Sequence, residues 1–157
     1  MHTPLRIALL AIAICASLVL AVGRATASTV RHARTAHATT VGTRAVGYAQ
    51  SLLGIRYAWG GASPRSGFDC SGFVRYVYAH FGITLPHSSY ADFGLGRRVA
   101  RGGLRPGDLV FFHGLGHVGI YAGAGRFIHA PHEGTRVSYS TLAEYDGAYD
   151  GARRLVR

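Results

Sequence analysis

A cysteine just ahead of an apolar helical pattern is the feature of this sequence best suited to chemistry. Cys70 stands in the run Phe68-Asp69-Cys70-Ser71-Gly72. The only other thiol, Cys15, lies in an apolar N-terminal stretch that is typical of segments removed on export. With no intramolecular partner left, Cys70 is predicted to be an intermolecular disulfide, a buried inert thiol or a reactive nucleophile.

The N-terminal stretch predicts export. Arg6 precedes an apolar run from Ile7 to Val22, and the small residues Ala25 and Ala27 follow it. This pattern predicts a signal peptide at 1–27, with cleavage after the last of these alanines. The alternative is a single membrane anchor, because the run approaches a marginal span of roughly 17 residues. We expect the mature chain to be exported, with no stable membrane anchor after processing.

Helical periodicity places the cysteine at the start of a helix. Six apolar residues share one helical face: Cys70, Phe73, Val74, Val77, Tyr78 and Phe81. Asp69 is the predicted N-cap, and Gly82 is the predicted end. A helix N-terminus and a neighbouring imidazole both stabilise a thiolate, so we expect this position to lower the pKa of the thiol.

Two histidines in strand context, His117 and His129, are the candidate partners of the thiol. They flank Gly123-Ala124-Gly125, and we predict a three-residue hairpin loop because its last glycine suits a left-handed conformation. In that register both histidines lie on one face, with Cβ atoms about 7 Å apart or less, whereas a two-residue turn would separate them. The expected constellation is a nucleophile Cys70, a base His117 and an orienting His129, the arrangement of a thiol hydrolase.

The remaining patterns predict one α+β domain at 44–157. A leader at 28–43 is rich in Ala, Thr, Arg and His, lacks an apolar period and is predicted to be flexible. A first helix is predicted to run from Arg44 to Gly54, and a short helix is allowed between Pro86 and Gly96. Strands are predicted at 109–112, 118–122, 126–130, 136–139 and 153–156. Helices followed by strands indicate an antiparallel sheet in a single domain.

Five motifs occur in the order found in a known family: Tyr57-Ala-Trp-Gly-Gly61, Phe68-Asp-Cys-Ser-Gly-Phe73, Leu104-Arg-Pro-Gly-Asp-Leu-Val-Phe-Phe112, His117-Val-Gly-Ile-Tyr121 and Phe127-Ile-His-Ala130. The chain thereby resembles the NlpC-like cell-wall peptidases. The resemblance implies a papain-like core, with the catalytic cysteine at a helix N-terminus packed on the sheet, and a triad of Cys70, His117 and His129. It also implies an oxyanion contact for Tyr57 and stem-peptide contacts for Asp69 and Ser71. The alternative for Tyr57 is a core aromatic, and the alternative for Asp69 is a plain N-cap.

The activity that this resemblance implies is cleavage of peptidoglycan stem peptides between γ-D-glutamate and a diamino acid. An amidase that cuts between the glycan's lactyl group and L-alanine is one alternative, and a non-catalytic wall-binding module is another. No metal or organic cofactor is expected, because the other histidines lack a zinc-ligand spacing. The sequence departs from the family pattern at Leu85-Pro86-His87-Ser88-Ser89 and at Asp92, where glutamine is common. These departures concern substrate selection.

The charge of the chain indicates a polyanionic partner. Arginine supplies all 17 basic residues, against 7 acidic ones, for a net charge of +10. Such a charge attracts an anionic cell wall, and we expect a monomer located in the wall or periplasm. The arginines are scattered and form no basic stripe with interleaved aromatics, so nucleic-acid binding is not expected.

Overall fold

The computed structural model describes residues 41–155, so the predicted signal peptide and most of the predicted leader lie outside the described residues. Helix α1 covers 41–50 and already includes 41–43, which the sequence assigned to the leader. Gly42 packs there against the backbone of Pro106, a tertiary contact that no local pattern signals. Leu53, predicted on the apolar face, is 39% exposed because the helix ends before it. No helix within 41–155 is long and apolar enough to cross a membrane.

Helix α2, Cys70–Ala79, confirms the predicted helix and its cap. Asp69 is the N-cap in extended conformation, and its side chain accepts a hydrogen bond from the N–H of Gly72. Four side chains of the predicted face are fully buried: Phe73, Val74, Val77 and Tyr78. Each such burial contributes about 1.5–3 kcal/mol, which holds the helix against the sheet. The chain then leaves the helix through Gly82, whose φ is 73°.

Helix α3, Ser89–Asp92, is the short helix that the sequence allowed after Pro86. Ser88 caps it, with Oγ accepting the N–H of Ala91 at 3.4 Å. A small two-stranded sheet precedes α2 and consists of β1, Ala62–Ser63, and β2, Gly67–Phe68. These strands were not predicted, because two residues are too few to show a period.

A six-stranded antiparallel sheet forms the second half of the fold, with the strand order β3-β8-β4-β5-β6-β7. Its strands are β3 Arg97–Val99, β4 Leu109–Phe112, β5 His117–Gly123, β6 Arg126–His129, β7 Ser138–Thr141 and β8 Tyr149–Arg154. The α+β prediction is therefore confirmed. The last two strands are displaced by two to four residues from their predicted starts, and the edge strand β3 was missed.

The sheet carries a core on each face. Helix α2 packs on the face that includes Leu109, Phe111 and Ile120. The opposite face buries a second cluster around Val110 and Phe112. Alternating residues of one strand thus serve both cores, which explains why β4 is apolar throughout.

The tip of the β5–β6 hairpin differs from the prediction, although its body does not. The turn has two residues, Ala124 and Gly125, with φ angles of 50° and 71°. A bulge at the end of β5 precedes the turn, because Tyr121 pairs with Phe127 while Gly123 pairs with Arg126. The extra bulged residue restores the register that a three-residue loop would have produced. The predicted register, which puts His117 and His129 on one face, is therefore right, and the predicted three-residue loop is wrong.

A buried, unpaired carboxyl group lies at the end of α3. Asp92 is 0% exposed, and neither of its oxygens has a hydrogen-bond partner among the described residues. Burial raises the pKa of Asp92 to about 7, because a charged carboxylate loses its hydration there. The family's usual glutamine would be neutral at this place.

This carboxyl predicts that stability falls as the pH rises. The unfolded chain releases the Asp92 proton near pH 4, whereas the folded chain keeps it up to about pH 7. We expect a loss of about 4 kcal/mol across that window, because each pH unit between the two pKa values corresponds to about 1.36 kcal/mol. Asp92→Asn should remove this slope in urea titrations at several pH values. The exposed Asp146→Asn is the control, and an equal slope in Asp92→Asn and wild type would contradict the assignment.

Candidate active site

The N-terminus of α2 is tied to the preceding loop by one carboxylate. Oδ1 of Asp69 accepts the N–H of Gly72 at 2.7 Å, and Oδ2 accepts the N–H of Gly60 at 2.9 Å. The backbone of Asp69 also donates to the carbonyl of Gly61 at 3.0 Å. These bonds hold the helix start, and with it Cys70, against the loop that carries Tyr57.

The glycine two residues after the cysteine allows this close approach. A Cβ at position 72 would lie 2.1 Å from the carbonyl oxygen of Gly61 and 2.9 Å from Nε2 of His87. Any side chain there would push the loop off the helix. The Cys-Ser-Gly motif is thus explained by packing as well as by chemistry.

Two more side chains converge on the capping carboxylate. Nε2 of His87 lies 2.8 Å and 2.9 Å from the two oxygens of Asp69. Oγ of Ser71 donates to Oδ1 of the same group at 3.3 Å. Asp69 is therefore an N-cap whose two oxygens share four partners within the protein. Sequence reasoning did not select His87 as a site residue, although the departure from the family pattern around it was the available signal.

The histidine pair lies where the hairpin register predicts. His117 begins β5 and His129 ends β6, and Nε2 of the first lies 2.7 Å from Nδ1 of the second. The two rings are nearly perpendicular, at 81°. Both residues are buried, so the hydrogen bond between them is shielded from water. The prediction that they share one face is confirmed.

The thiol reaches the same strand. Cys70 is hydrogen-bonded to the backbone of Val118, the residue that follows His117. Helix α2 packs on β5. The residues predicted to form a triad therefore lie on α2, β5 and β6, and the thiol lies next to the start of β5, where His117 stands.

Burial dominates the electrostatics of the thiol. It raises the pKa of Cys70, and the negative charge of Asp69 raises it further. Backbone hydrogen bonds at Val118, Ser71 and Cys70 itself act in the opposite direction. The expectation that the helix N-terminus would lower this pKa is therefore wrong in its net effect, because desolvation of a thiolate outweighs the helix dipole.

Both imidazoles are held in the neutral form. Burial lowers the pKa of His117 to about 4 and that of His129 to about 3. The positive charges of neighbouring imidazoles, chiefly His113 for the first and His117 for the second, add to this effect. At neutral pH the site therefore contains a neutral thiol beside a neutral imidazole pair, a combination ready for proton transfer.

Tyr57 stands beside the thiol and the capping carboxylate. Burial is the main cause that raises the pKa of Tyr57, and the charges of Cys70 and Asp69 raise it further. The phenol is therefore close enough to both groups to interact with their charges. Its ring is half-buried at the margin of the core. Trp59, two residues later, is 89% exposed.

Two residues beyond the hairpin complete the surroundings of the histidines, and sequence reasoning missed both. Oγ of Ser140 in β7 lies 3.1 Å from Nε2 of His129. The ring of Tyr145 lies edge-on to His129, with centroids 5.6 Å apart. Neither residue belongs to a motif, and only the pairing of β6 with β7 brings the serine close. No group of three His, Cys, Asp or Glu side chains within 41–155 is arranged to hold a metal ion.

The chain is similar in sequence to known hydrolases. The chain is 41% identical over 114 residues to a gamma-DL-glutamyl hydrolase of Bacillus subtilis, covering 68% of this chain and 28% of that protein. It is 40% identical over 114 residues to the murein DD-endopeptidase MepH of Escherichia coli, covering 66% of this chain and 42% of that protein. The chain thus spans less than half the length of these curated relatives.

A solved structure and a family profile extend the likeness. The NlpC/p60 domain of the peptidoglycan hydrolase SagA superposes with a TM-score of 0.66 at 36% identity, covering 71% of this chain and 97% of that domain. Residues 54–153 match the profile of the NlpC/P60 family, a span that includes Tyr57, Cys70 and both histidines. The chain therefore belongs to the NlpC/P60 family.

Proposed function

We propose that the protein is a secreted cysteine endopeptidase that hydrolyses peptidoglycan stem peptides, at the bond between γ-D-glutamate and a diamino acid. The observation that carries this proposal is the assembly of Cys70, at a capped helix N-terminus, beside the hydrogen-bonded pair of His117 and His129. Relatives named as a gamma-DL-glutamyl hydrolase and a murein endopeptidase support the substrate class.

The mechanism starts from the neutral pair. As the sulfur of Cys70 attacks the scissile carbonyl, its proton passes to Nδ1 of His117, whose Nε2 already faces His129. The imidazolium formed then protonates the leaving amine. Water, activated by the same ring, attacks the thioester, releases the acyl half and returns the proton to the sulfur. Proton transfer during attack spares the site a buried resting thiolate, which burial disfavours.

The developing oxyanion needs hydrogen-bond donors near the thiol. Backbone groups at Cys70, Ser71 and Val118 already bond the sulfur, and we assign the helix N-terminus and the phenol of Tyr57 to this task. For Asp69 and Ser71 we propose a contact with the amine and backbone of the stem peptide. Because the carboxylate has four internal partners, His87 would have to yield one of its contacts to an incoming amine.

We also propose that the protein acts as a monomer at an anionic wall. The predicted signal peptide at 1–27 and the net charge of +10 support this location.

One arginine pair supports wall binding. Arg98 and Arg153 face each other across β3 and β8, and their guanidinium carbons lie 5.8 Å and 4.2 Å from the ring centroid of Phe93. Within 41–155 neither makes an ion pair, and Nε of Arg153 is buried without a partner. Like charges placed directly opposite repel, so a polyanion would stabilise this pair.

Replacing the thiol tests the reaction and its alternatives. Cys70→Ala should lower hydrolysis of purified muropeptides by at least about 1000-fold, because a nucleophile acts with its base as a unit. Its thermal unfolding should match that of wild type, and Ser51→Ala, at an exposed position after α1, serves as a fully active control. Retained hydrolysis in Cys70→Ala would refute the mechanism.

The masses of the wild-type products identify the bond. A γ-D-glutamyl endopeptidase leaves a fragment that ends in γ-D-glutamate and a second fragment that begins with the diamino acid. An amidase instead releases whole stem peptides with a free L-alanine amine. A wall-binding module leaves all masses unchanged while the protein still sediments with sacculi.

The arginine pair predicts a loss of wall affinity without a loss of chemistry. Arg98→Gln with Arg153→Gln should weaken sedimentation with sacculi that carry anionic polymer by about tenfold, and should flatten its salt dependence. Hydrolysis of soluble stem peptides should stay at the wild-type rate. Arg65→Gln with Arg75→Gln removes the same charge from two other exposed positions. An equal loss of sedimentation in both double variants would mean that net charge alone causes the effect. That result would contradict a localised wall-binding site at Arg98 and Arg153.

A further inference from the structure

We propose that Ser140 and Tyr145 are positioning residues that select the tautomer of both site histidines, so that the lone pair of His117 faces the thiol. The inference rests on the proposed function only for the role of the lone pair, which is to take the proton of the thiol. The tautomer itself is a property of the free protein.

The hydrogen bonds form a chain in which each partner restricts the next. Nε2 of His117 meets Nδ1 of His129 at 2.7 Å, and Nε2 of His129 meets Oγ of Ser140 at 3.1 Å. A neutral imidazole has one N–H and one lone pair. Whichever role Ser140 takes toward His129 therefore decides which nitrogen of His117 carries the proton.

Only one direction of this chain makes His117 a base toward Cys70. If Ser140 accepts the N–H of His129, then Nδ1 of His129 accepts from Nε2–H of His117, and Nδ1 of His117 keeps its lone pair. If Ser140 donates instead, every proton moves to the other nitrogen and Nδ1 of His117 becomes a donor. That second state cannot take the thiol proton.

Tyr145 biases the serine toward the productive state. The hydroxyl of Ser140, which bonds His129, also acts as a hydrogen-bond partner of the Tyr145 phenol: burial raises the pKa of that phenol, and the bond from Ser140 acts to lower it. A hydroxyl has a single proton, so a serine that donates to the phenol can only accept from the imidazole. The phenol oxygen thereby offers Ser140 an acceptor that favours this direction of the chain.

Ring contacts hold Tyr145 in place beside the histidine pair. Its ring lies edge-on to His129 at 5.6 Å and to Phe127 at 5.2 Å, and it stacks at 19° on His117 with centroids 6.4 Å apart. It directly precedes the 3₁₀ turn Asp146–Ala148, and Ser140 sits in β7 opposite Phe127 of β6. Two elements beyond the hairpin thus converge on the histidine pair.

The test combines kinetics with a readout of the tautomer. Ser140→Ala should lower kcat on stem peptides about 10- to 100-fold, with KM within twofold, because a partner that orients a catalytic group acts on the chemical step. Ser140→Thr keeps the hydroxyl and should recover most of the rate. Tyr145→Phe, which removes the phenol oxygen, should also lower kcat. Ser51→Ala removes an exposed hydroxyl that bonds only the carbonyl of Tyr48 after helix α1, and it should behave as wild type.

Long-range proton–nitrogen NMR of the free protein at pH 7 reads the protonated nitrogen of each histidine. Wild type should show Nε2–H on both His117 and His129, and Ser140→Ala should show a mixture of tautomers. Unchanged tautomers in Ser140→Ala, or Nδ1–H on His117 in wild type, would overturn the proposal. Because this spectrum needs no substrate, it stands or fails independently of the peptidase activity.

Discussion

The register of the β5–β6 hairpin is the constraint on which the rest of the site depends. A shift of one residue would turn His129 to the other face of the sheet and break its 2.7 Å bond to His117. The two-residue turn alone would cause that shift, and the bulge between Tyr121 and Gly123 cancels it. Apolar residues on both faces hold this register, because slippage would expose one core and bury polar groups.

The same register buries the thiol and the two histidines, and this burial sets the charges of the site. Desolvation raises the pKa of Cys70 and lowers the pKa of both histidines, so the resting site is neutral. A neutral site avoids the cost of a buried ion pair and leaves the charge to develop during attack. The capped start of α2 supplies N–H donors at the place where that charge appears.

Much of this arrangement was readable from the sequence, for identifiable reasons. The face of α2 and its Asp69 cap follow from the helical period and the capping residue, which are local properties. The shared face of the two histidines was predicted from a three-residue loop, and it holds because a bulge gives the two-residue turn the same register. The sign of the Cys70 pKa shift could not be read, because it depends on burial by the sheet. Ser140, Tyr145 and His87 were missed because strand pairing and loop packing, rather than spacing, bring them to the site. The unpaired Asp92 was visible only as a departure from the family pattern.

The central claim is that hydrolysis passes through a thioester on Cys70, and trapping with hydroxylamine tests it most directly. Hydroxylamine attacks thioesters, so its addition during turnover should convert part of the acyl product to a hydroxamate. Mass spectrometry of the products should show the hydroxamate on the γ-carboxyl of the D-glutamyl fragment. Hydrolysis at the wild-type rate that yields only the free acid, at every hydroxylamine concentration, would mean that water attacks the peptide directly and would contradict the account.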